Sequence, residues 1–217
     1  MRKQAVSTEI GLFDKRRETL SIDRDTVLLL IDVQEGFKDP KWGRRKNPCA
    51  EAKISQVLNT WRVSGRPIIH VQHVSQEHAS VFAPDSPGIA LQEFARPANG
   101  ELLLQKRVNS AFIGTELDSN LKERGATTLV IVGFTTDHCV SSTVRMAGNL
   151  GYRTIVVADG TATFERRSAD NNAVGSGDYS PNPLTESSSR IRRSSRCRHG
   201  AGPERRRMRL PRAKARL

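Results

Sequence analysis

The chain reads Val27-Leu28-Leu29-Leu30-Ile31-Asp32-Val33 shortly after its first twenty residues. A continuous apolar run of this length, partly β-branched and ending in an acid, is typical of a strand that is buried on both faces of a parallel sheet. The run is far too short to cross a bilayer, which takes about 20 apolar residues. We therefore predict that this segment is the central strand of a sheet that helices cover on both faces.

Further along the chain, predicted strands alternate with predicted helices. Apolar residues at helical spacing fill residues 50–64, and Gly65 ends that pattern. The other predicted strands are 67–71, 102–106, 128–132 and 153–158, and the other predicted helices are a short one carrying Leu117 and Leu121 and one running from Cys139 to near Gly151. This alternation predicts an α/β fold, a three-layer α/β/α sandwich with a mostly parallel Rossmann-like sheet.

Charge divides the chain into two parts. The 217 residues carry a formal net charge of +12, but residues 166–217 contain 14 of the 35 Lys and Arg and only 4 of the 23 Asp and Glu. The same segment has one aromatic residue and no helical or strand period, so it cannot bury a core face. We expect one domain over residues 1–165 and a basic, disordered tail over residues 166–217.

Two origins of this tail stay open. A mixture rich in Arg, Ser, Pro and Gly is what GC-rich coding DNA yields when it is read in the wrong frame, here from about residue 168. A genuine basic arm would instead bind nucleic acid or an anionic surface in a salt-dependent way. Because the tail lacks aromatic residues for stacking and the rest of the chain is nearly neutral, we favour the change of frame and expect no nucleic-acid partner.

The cysteines and the N-terminus indicate a compartment. Cys49, Cys139 and Cys197 are widely spaced and include no CxxC pair, which indicates neither a disulfide framework nor a zinc site. The basic N-terminus lacks the apolar segment of an export signal. We therefore expect a cytoplasmic protein without a membrane partner.

Cys139 lies where the apolar strand 128–132 gives way to a helical pattern, within Gly133-Phe134-Thr135-Thr136-Asp137-His138-Cys139-Val140. A helix N-terminus offers free N–H groups and a positive dipole end, which favour the reactive thiolate and lower a cysteine pKa. The alternative is an inert buried thiol, since free Cys is among the most buried residue types.

Two charged residues stand at the ends of other predicted strands. Asp32 follows the first strand and Lys106 ends the third, and the carboxyl ends of parallel strands meet at one edge of a sheet. Taken singly, Asp32 could cap a helix and Lys106 could be a solvated strand end. Together with Cys139 they form a coherent site, in which the carboxylate takes the thiol proton and the ammonium favours both anions.

Three segments, in this order, resemble the isochorismatase-like cysteine hydrolases, a superfamily that includes nicotinamidases, N-carbamoylsarcosine amidohydrolases and ureidoacrylate amidohydrolases. The matching segments are 28–37, 106–112 with Gly114-Thr115, and 133–140. The resemblance implies that Asp32, Lys106 and Cys139 are the catalytic triad. It also implies that the backbone N–H groups of Thr135 and Cys139 form an oxyanion hole, with a cis peptide bond between Phe134 and Thr135.

The same resemblance implies the reaction. A cysteine hydrolase of this kind cleaves a C–N bond of a small amide or carbamoyl compound through a thioester, without a cofactor. Two alternatives stay open: a catalytically impaired, hydrolase-like binding protein, and a vinyl-ether hydrolase of the isochorismatase type. We expect a small-molecule substrate and a homo-oligomer. Family members also continue with a final helix and strand, and the pattern after residue 165 shows neither in recognisable form.

The substrate pocket and a metal site are weighed separately. Candidate pocket residues are Phe37, Trp42, Asn109 and His138, with core packing or exposure to solvent as the alternative, and the long loop 74–100 is a candidate pocket wall. Nicotinamidases of the superfamily bind a divalent ion through an Asp-x-His pair and another His, and residues 38–42 contain no such pair. His70 and His73 should point to opposite faces of one strand. We therefore expect no metal.

Overall fold

The computed structural model describes residues 22–167 and 173–174. Its main sheet contains β1 (Val27–Ile31), β2 (Ile68–His73), β3 (Leu102–Lys106), β4 (Thr128–Phe134) and β5 (Arg153–Ala162). All neighbours pair in parallel, in the order β3-β2-β1-β4-β5. The first strand is central, as predicted, and all five of its residues are buried.

Among the described residues, three α-helices cover the two faces of this sheet, and the predicted three-layer architecture is confirmed. They are α1 (Ala50–Ser64), α2 (Leu117–Glu123) and α3 (Ser141–Asn149). Alternate residues of β1 supply the two cores: Leu28 and Leu30 pack in the cluster that contains the apolar face of α1, whereas Leu29 packs in the cluster that contains α2 and α3. The Trp61 indole of α1 donates a hydrogen bond to the Thr26 carbonyl and so ties α1 to the start of β1.

The ends of α1 show how the sequence sets its limits. Gly65 adopts a left-handed conformation with φ 63°, and its N–H bonds to carbonyls of the last turn, as expected where a helix stops at glycine. Cys49, which precedes the helix, is disulfide-bonded, a bond that the spacing of the cysteines does not indicate. None of the described helices, α1 included, is long and apolar enough to cross a membrane.

The segments that connect these elements contain several short 3₁₀ helices. Loop 74–100 contains 3₁₀ helices at Pro87–Ile89 and Glu93–Ala95, and two more follow β1, at Glu35–Lys38 and Pro40–Trp42. Beyond residue 165, β6 (Arg166–Arg167) pairs antiparallel with β7 (Ala173–Val174), which the sequence pattern does not predict. The rest of the basic tail, where the final helix and strand would fall, lies outside the described residues.

Candidate active site

The position of Asp32 depends on the close approach of β1 and β4. Asp32 follows β1 directly with φ 51°, and its N–H bonds to the Val71 carbonyl at 2.9 Å. Beside it, Gly133 of β4 pairs with Ile31 at φ 124°, and a Cβ on Gly133 would overlap the Ile31 carbonyl oxygen. Only glycine fits this contact, which brings the end of β4 against Asp32.

Lys106 is the last residue of β3 and reaches from the edge of the sheet to its centre. Its side chain is fully buried, and its Nζ lies 2.7 Å from Asp32 Oδ2 and 3.2 Å from Cys139 Sγ. Asp32 is also fully buried. The three residues predicted as a triad therefore meet in one cluster. A buried ion pair of this kind is held by its geometry and hydrogen bonds, because both charges have lost their water.

Cys139 occupies a π-helical turn, Thr136–Val140, which leads directly into α3. Burial and the nearby charge of Asp32 raise the pKa of Cys139 to about 12, and the Lys106 ammonium offsets only part of that rise. The prediction that the helix N-terminus lowers this pKa is therefore wrong. Cys139 is only 9 % exposed, and its burial destabilises the thiolate more than the nearby positive charge stabilises it.

The neighbouring groups define the resting charges of the site. Burial raises the pKa of Asp32 above its usual value, although the ion pair with Lys106 opposes that rise. Burial, and then the charge of Lys106, lowers the pKa of His73. The resting site thus contains a neutral thiol, a neutral imidazole and a carboxylate that is more basic than usual.

The turn between β4 and α3 has the predicted backbone geometry. The Phe134–Thr135 peptide bond is cis, as expected. The Thr135 carbonyl then accepts hydrogen bonds from the N–H groups of His138 and Val140, at 3.2 and 3.1 Å. These bonds fold the segment around Cys139 into a tight turn.

Of the four candidate pocket residues, Asn109 lies beside the thiol, whereas Phe37 and Trp42 lie in an aromatic cluster. The Asn109 Oδ1 atom is 3.8 Å from Cys139 Sγ. His138 is partly exposed, and its Nδ1 lies 3.4 Å from the Thr135 hydroxyl. Phe37 is buried in the core and packs against the ring of Phe134, with centroids 5.5 Å apart.

Trp42 joins the same aromatic group as Phe37. Their ring centroids lie 5.4 Å apart, and the Trp42 indole donates to the Gly36 carbonyl at 2.8 Å. Both rings pack with Phe82 and Phe164, and Phe37 also packs with Phe134. This group reaches the site through Phe134, the residue before the cis bond, so neither Phe37 nor Trp42 touches the thiol in any contact that the structure records.

Loop 74–100 walls a cavity of about 650 Å³. The cavity is lined by residues of the segment 74–86 and by Arg107. Val74 and Arg107 directly follow the ends of β2 and β3, and the Val74 N–H bonds to the Lys106 carbonyl at 2.8 Å. The cavity thus lies at the carboxyl ends of β2 and β3, but Asp32, Lys106 and Cys139 are not among the residues that line it.

Two polar residues of the site were not singled out from the sequence. His73 Nδ1 lies 3.3 Å from Lys106 Nζ, and the buried side chain of Gln34 makes hydrogen bonds to both the N–H and the carbonyl of His73. His73 pairs with Lys106 in the β2–β3 register, so the signal would have been the register of two predicted strands.

The other strand histidine points elsewhere. His70 Nε2 lies 2.8 Å from Glu101 Oε2, away from Lys106, as strand alternation predicts. Within residues 22–167 and 173–174, no group of three or more His, Cys, Asp or Glu side chains is placed to hold a metal ion.

Comparisons with known proteins identify the family of this chain. A model of the isochorismatase domain matches residues 26–178. The chain is 45 % identical over 146 residues to the uncharacterized isochorismatase family protein YrdC of Bacillus subtilis, covering 67 % of this chain and 78 % of that protein. It is 38 % identical over 182 residues to the ureidoacrylate amidohydrolase RutB of Methylobacterium radiotolerans, covering 67 % and 70 %.

Solved structures show the same fold. An isochorismatase-family protein from Chromobacterium violaceum superposes with a TM-score of 0.66 at 40 % identity, covering 70 % of this chain and 78 % of that one. The N-carbamoylsarcosine amidase of Thermoplasma acidophilum gives 0.57 at 26 % identity, covering 67 % and 87 %. With the domain match over most of its length, this chain belongs to the isochorismatase family of hydrolases.

Proposed function

We propose that this chain is a cysteine hydrolase that cleaves a C–N bond of a small amide or carbamoyl compound through a thioester intermediate. The observation that carries the proposal is the buried cluster in which Lys106 Nζ lies 2.7 Å from Asp32 and 3.2 Å from the Cys139 sulfur. A nucleophile, a base and a fixed positive charge in mutual contact are what acyl transfer requires. Cleavage of a vinyl ether gives no role to the thiol.

The first step joins proton transfer to attack. Because burial and the charge of Asp32 raise the pKa of the Cys139 thiol to about 12, the resting sulfur is protonated at pH 7 and the thiolate is not formed in advance. The Cys139 thiol lies within hydrogen-bonding reach of Asp32, and the raised pKa of Asp32 makes it a stronger base than an ordinary aspartate. Asp32 takes the proton as the sulfur attacks the substrate carbonyl, and Lys106 keeps its charge beside both groups.

The oxyanion that forms needs donors that are already in place. We assign this role to the N–H groups of Thr135 and Cys139, which flank the turn after the cis peptide bond. Each such donor is worth about 3 kcal/mol of the barrier in enzymes that use one.

The remaining steps return the site to its resting state. Protonated Asp32 gives its proton to the leaving nitrogen, the C–N bond breaks, and ammonia or an amine departs. Asp32 then takes a proton from water as the water oxygen attacks the thioester carbon. The acid product leaves, and the proton returns to the sulfur, so that the net reaction is hydrolysis of the substrate by one water.

A screen of small amides, carbamoyl compounds and ureides for ammonia release tests the proposal. Cys139→Ala and Asp32→Asn should each lower kcat/KM by at least about 10³-fold, because each removes a group that acts in the transition state. Intact-mass measurement during turnover should show the acyl adduct on the wild type and none on Cys139→Ala. Activity that survives in folded Cys139→Ala would rule out the cysteine mechanism.

A further inference from the structure

Lys106 has a third partner beside the two members of the triad. An ammonium has three N–H donors and no acceptor. Within the described residues, Lys106 Nζ faces Asp32 Oδ2 at 2.7 Å, Cys139 Sγ at 3.2 Å and His73 Nδ1 at 3.3 Å. The three contacts account for the three donors, and His73 supplies the acceptor that lies outside the triad.

We propose that His73 is a positioning residue: its neutral imidazole, with the proton on Nε2, accepts a hydrogen bond from Lys106 through Nδ1 and holds the ammonium between Asp32 and Cys139. This role rests on the proposed hydrolase mechanism, since it serves the same lysine. His73 itself does not touch the reacting sulfur in any contact that the structure records.

The backbone of His73 is fixed to the same part of the site. Gln34 Oε1 accepts from the His73 N–H at 2.8 Å, and Gln34 Nε2 donates to the His73 carbonyl at 3.0 Å. The Gln34 N–H in turn bonds to the Asp32 carbonyl at 2.8 Å. Hydrogen bonds therefore close a ring through Asp32, Lys106, His73 and Gln34. Displacement of the His73 imidazole would therefore break this ring of hydrogen bonds or require a different side-chain rotamer.

Packing limits the imidazole as well. The edge-on ring of Phe82 lies at 90° to it, with centroids 5.9 Å apart. The charged groups that act on His73 are Lys106 and Asp32. A protonated ring would place a second cation 3.3 Å from the ammonium and would turn Nδ1 from an acceptor into a donor. The neutral state is the one that this geometry supports.

The reaction cycle explains why a third acceptor is useful. In the first step of turnover the sulfur bonds to the substrate carbon and Asp32 takes up a proton, so both of these partners of Lys106 change as hydrogen-bond acceptors in the same step. His73 stays neutral and keeps its Nδ1 lone pair throughout. A lysine side chain loses much rotamer entropy when it is fixed, and a constant acceptor keeps Lys106 ordered while the other two partners change.

Imidazole ¹⁵N spectra of the full, labelled chain test the proposal without any substrate. The chain has five histidines, and His73→Asn identifies the His73 signals by their loss. At pH 7 we expect a neutral ring protonated at Nε2, with an Nδ1 shift that changes in Lys106→Met. A ring protonated at Nδ1, or a charged ring, would overturn the proposal, whatever the enzyme hydrolyses.

Kinetics with a hydrolysed substrate supply the second test. His73→Asn keeps an acceptor oxygen close to the Nδ1 position, whereas His73→Leu removes it. We expect His73→Leu to lower kcat by about 10- to 100-fold with KM changed less than about threefold, and His73→Asn to recover most of that loss. Full kcat in folded His73→Leu, or equal losses in both variants, would contradict the positioning role.

A matched control comes from the same strand. His70→Asn also removes a buried imidazole from β2, but His70 contacts Glu101 and not the site. Its kcat per folded molecule should equal that of the wild type. If no substrate of the screen is hydrolysed by the wild type, the proposed function fails, and the tautomer of His73 still decides the proposal about its bond to Lys106.

Discussion

At the scale of single residues, the proposed nucleophile is protonated in the resting site. Burial and the charge of Asp32 hold Cys139 as a thiol, and the same burial makes Asp32 a better base. A free thiolate would react with oxidants and electrophiles, whereas a thiol that loses its proton only when substrate binds does not. In the proposed mechanism, activation of the sulfur is therefore coupled to occupation of the site by substrate.

This protonated thiol gives a distinctive alkylation profile. With a pKa of about 12, the rate at which iodoacetamide modifies Cys139 should rise about tenfold per pH unit from pH 7 to pH 10, without a plateau. Limited access to the sulfur lowers the absolute rate but not this slope. Mass spectrometry of the peptide that contains Cys139 measures the rate at each pH.

The chain unfolded in urea is the control for this measurement. There the Cys139 thiol has the pKa of an ordinary cysteine, so its rate should level off above about pH 9. A plateau below pH 8 in the folded protein would show a preformed thiolate, and the concerted first step of the mechanism would then be wrong.

The sequence predicts the positions of site residues better than their chemical states. Asp32, Lys106 and Cys139 could be placed because each stands where a recognisable strand or turn ends. The raised pKa of Cys139 could not be predicted from the sequence, because it depends on how completely the folded chain removes water from the sulfur. His73 was considered only as a metal ligand, since its contact with Lys106 depends on the pairing of β2 with β3.

At the scale of elements, the contact between β1 and β4 shapes the site. Gly133→Ala places a Cβ against the Ile31 carbonyl at a φ that favours glycine. The strands would have to separate, so we expect a loss of at least about 3 kcal/mol in the free energy of unfolding. Urea denaturation measures it. Since Asp32 follows Ile31, any folded fraction should also show reduced hydrolysis.

Gly148→Ala is the matched control for this substitution. Gly148 lies in α3, and a Cβ there meets no atom within 4 Å. Alanine in an exposed helix position is favoured over glycine, so this variant should gain about 0.5–1 kcal/mol. If both variants shift the unfolding midpoint equally, the steric account of Gly133 is wrong.

The limits of β5 show where pattern reading stops. The apolar pattern ends at Ala158, before Asp159-Gly160, yet the strand continues to Ala162. The Asn47 amide donates to the carbonyls of Asp159 and Thr161, and the pairing with β4 shifts register at this point. The Asn47 contacts join residues more than a hundred positions apart, so no local pattern contains them. The limits of α1 and β3, which depend on local signals, agree with the prediction.

At the scale of the whole molecule, one polar network holds the edge strand that supplies Lys106. Glu101 directly precedes β3 and accepts two hydrogen bonds from Arg62 of α1, at 2.7 and 2.8 Å. It also contacts His70 of β2. A single carboxylate thus joins three elements. Because β3 lies at the edge of the sheet, these bonds replace part of the support that a second neighbouring strand would give.

The network makes stability depend on pH. The hydrogen bonds from Arg62, with others from Ala98 and His70, lower the pKa of Glu101 to about 2. A carboxyl whose pKa is lower in the folded state stabilises the fold above its unfolded pKa of about 4.3, and this contribution is lost as the pH falls towards 2. The contribution is therefore complete at neutral pH.

Glu101→Gln removes this contribution and should identify it. At pH 7 we expect a loss of about 1–2 kcal/mol in the free energy of unfolding, since the pair is partly shielded from solvent. The difference from the wild type should shrink between pH 4.5 and 2, as measured by urea denaturation at several pH values. Glu123→Gln, the same change at an exposed residue of α2, should stay within about 0.5 kcal/mol throughout. A Glu101→Gln difference that does not vary with pH would show that the network acts through packing, because only the charged carboxylate can lose its effect on protonation.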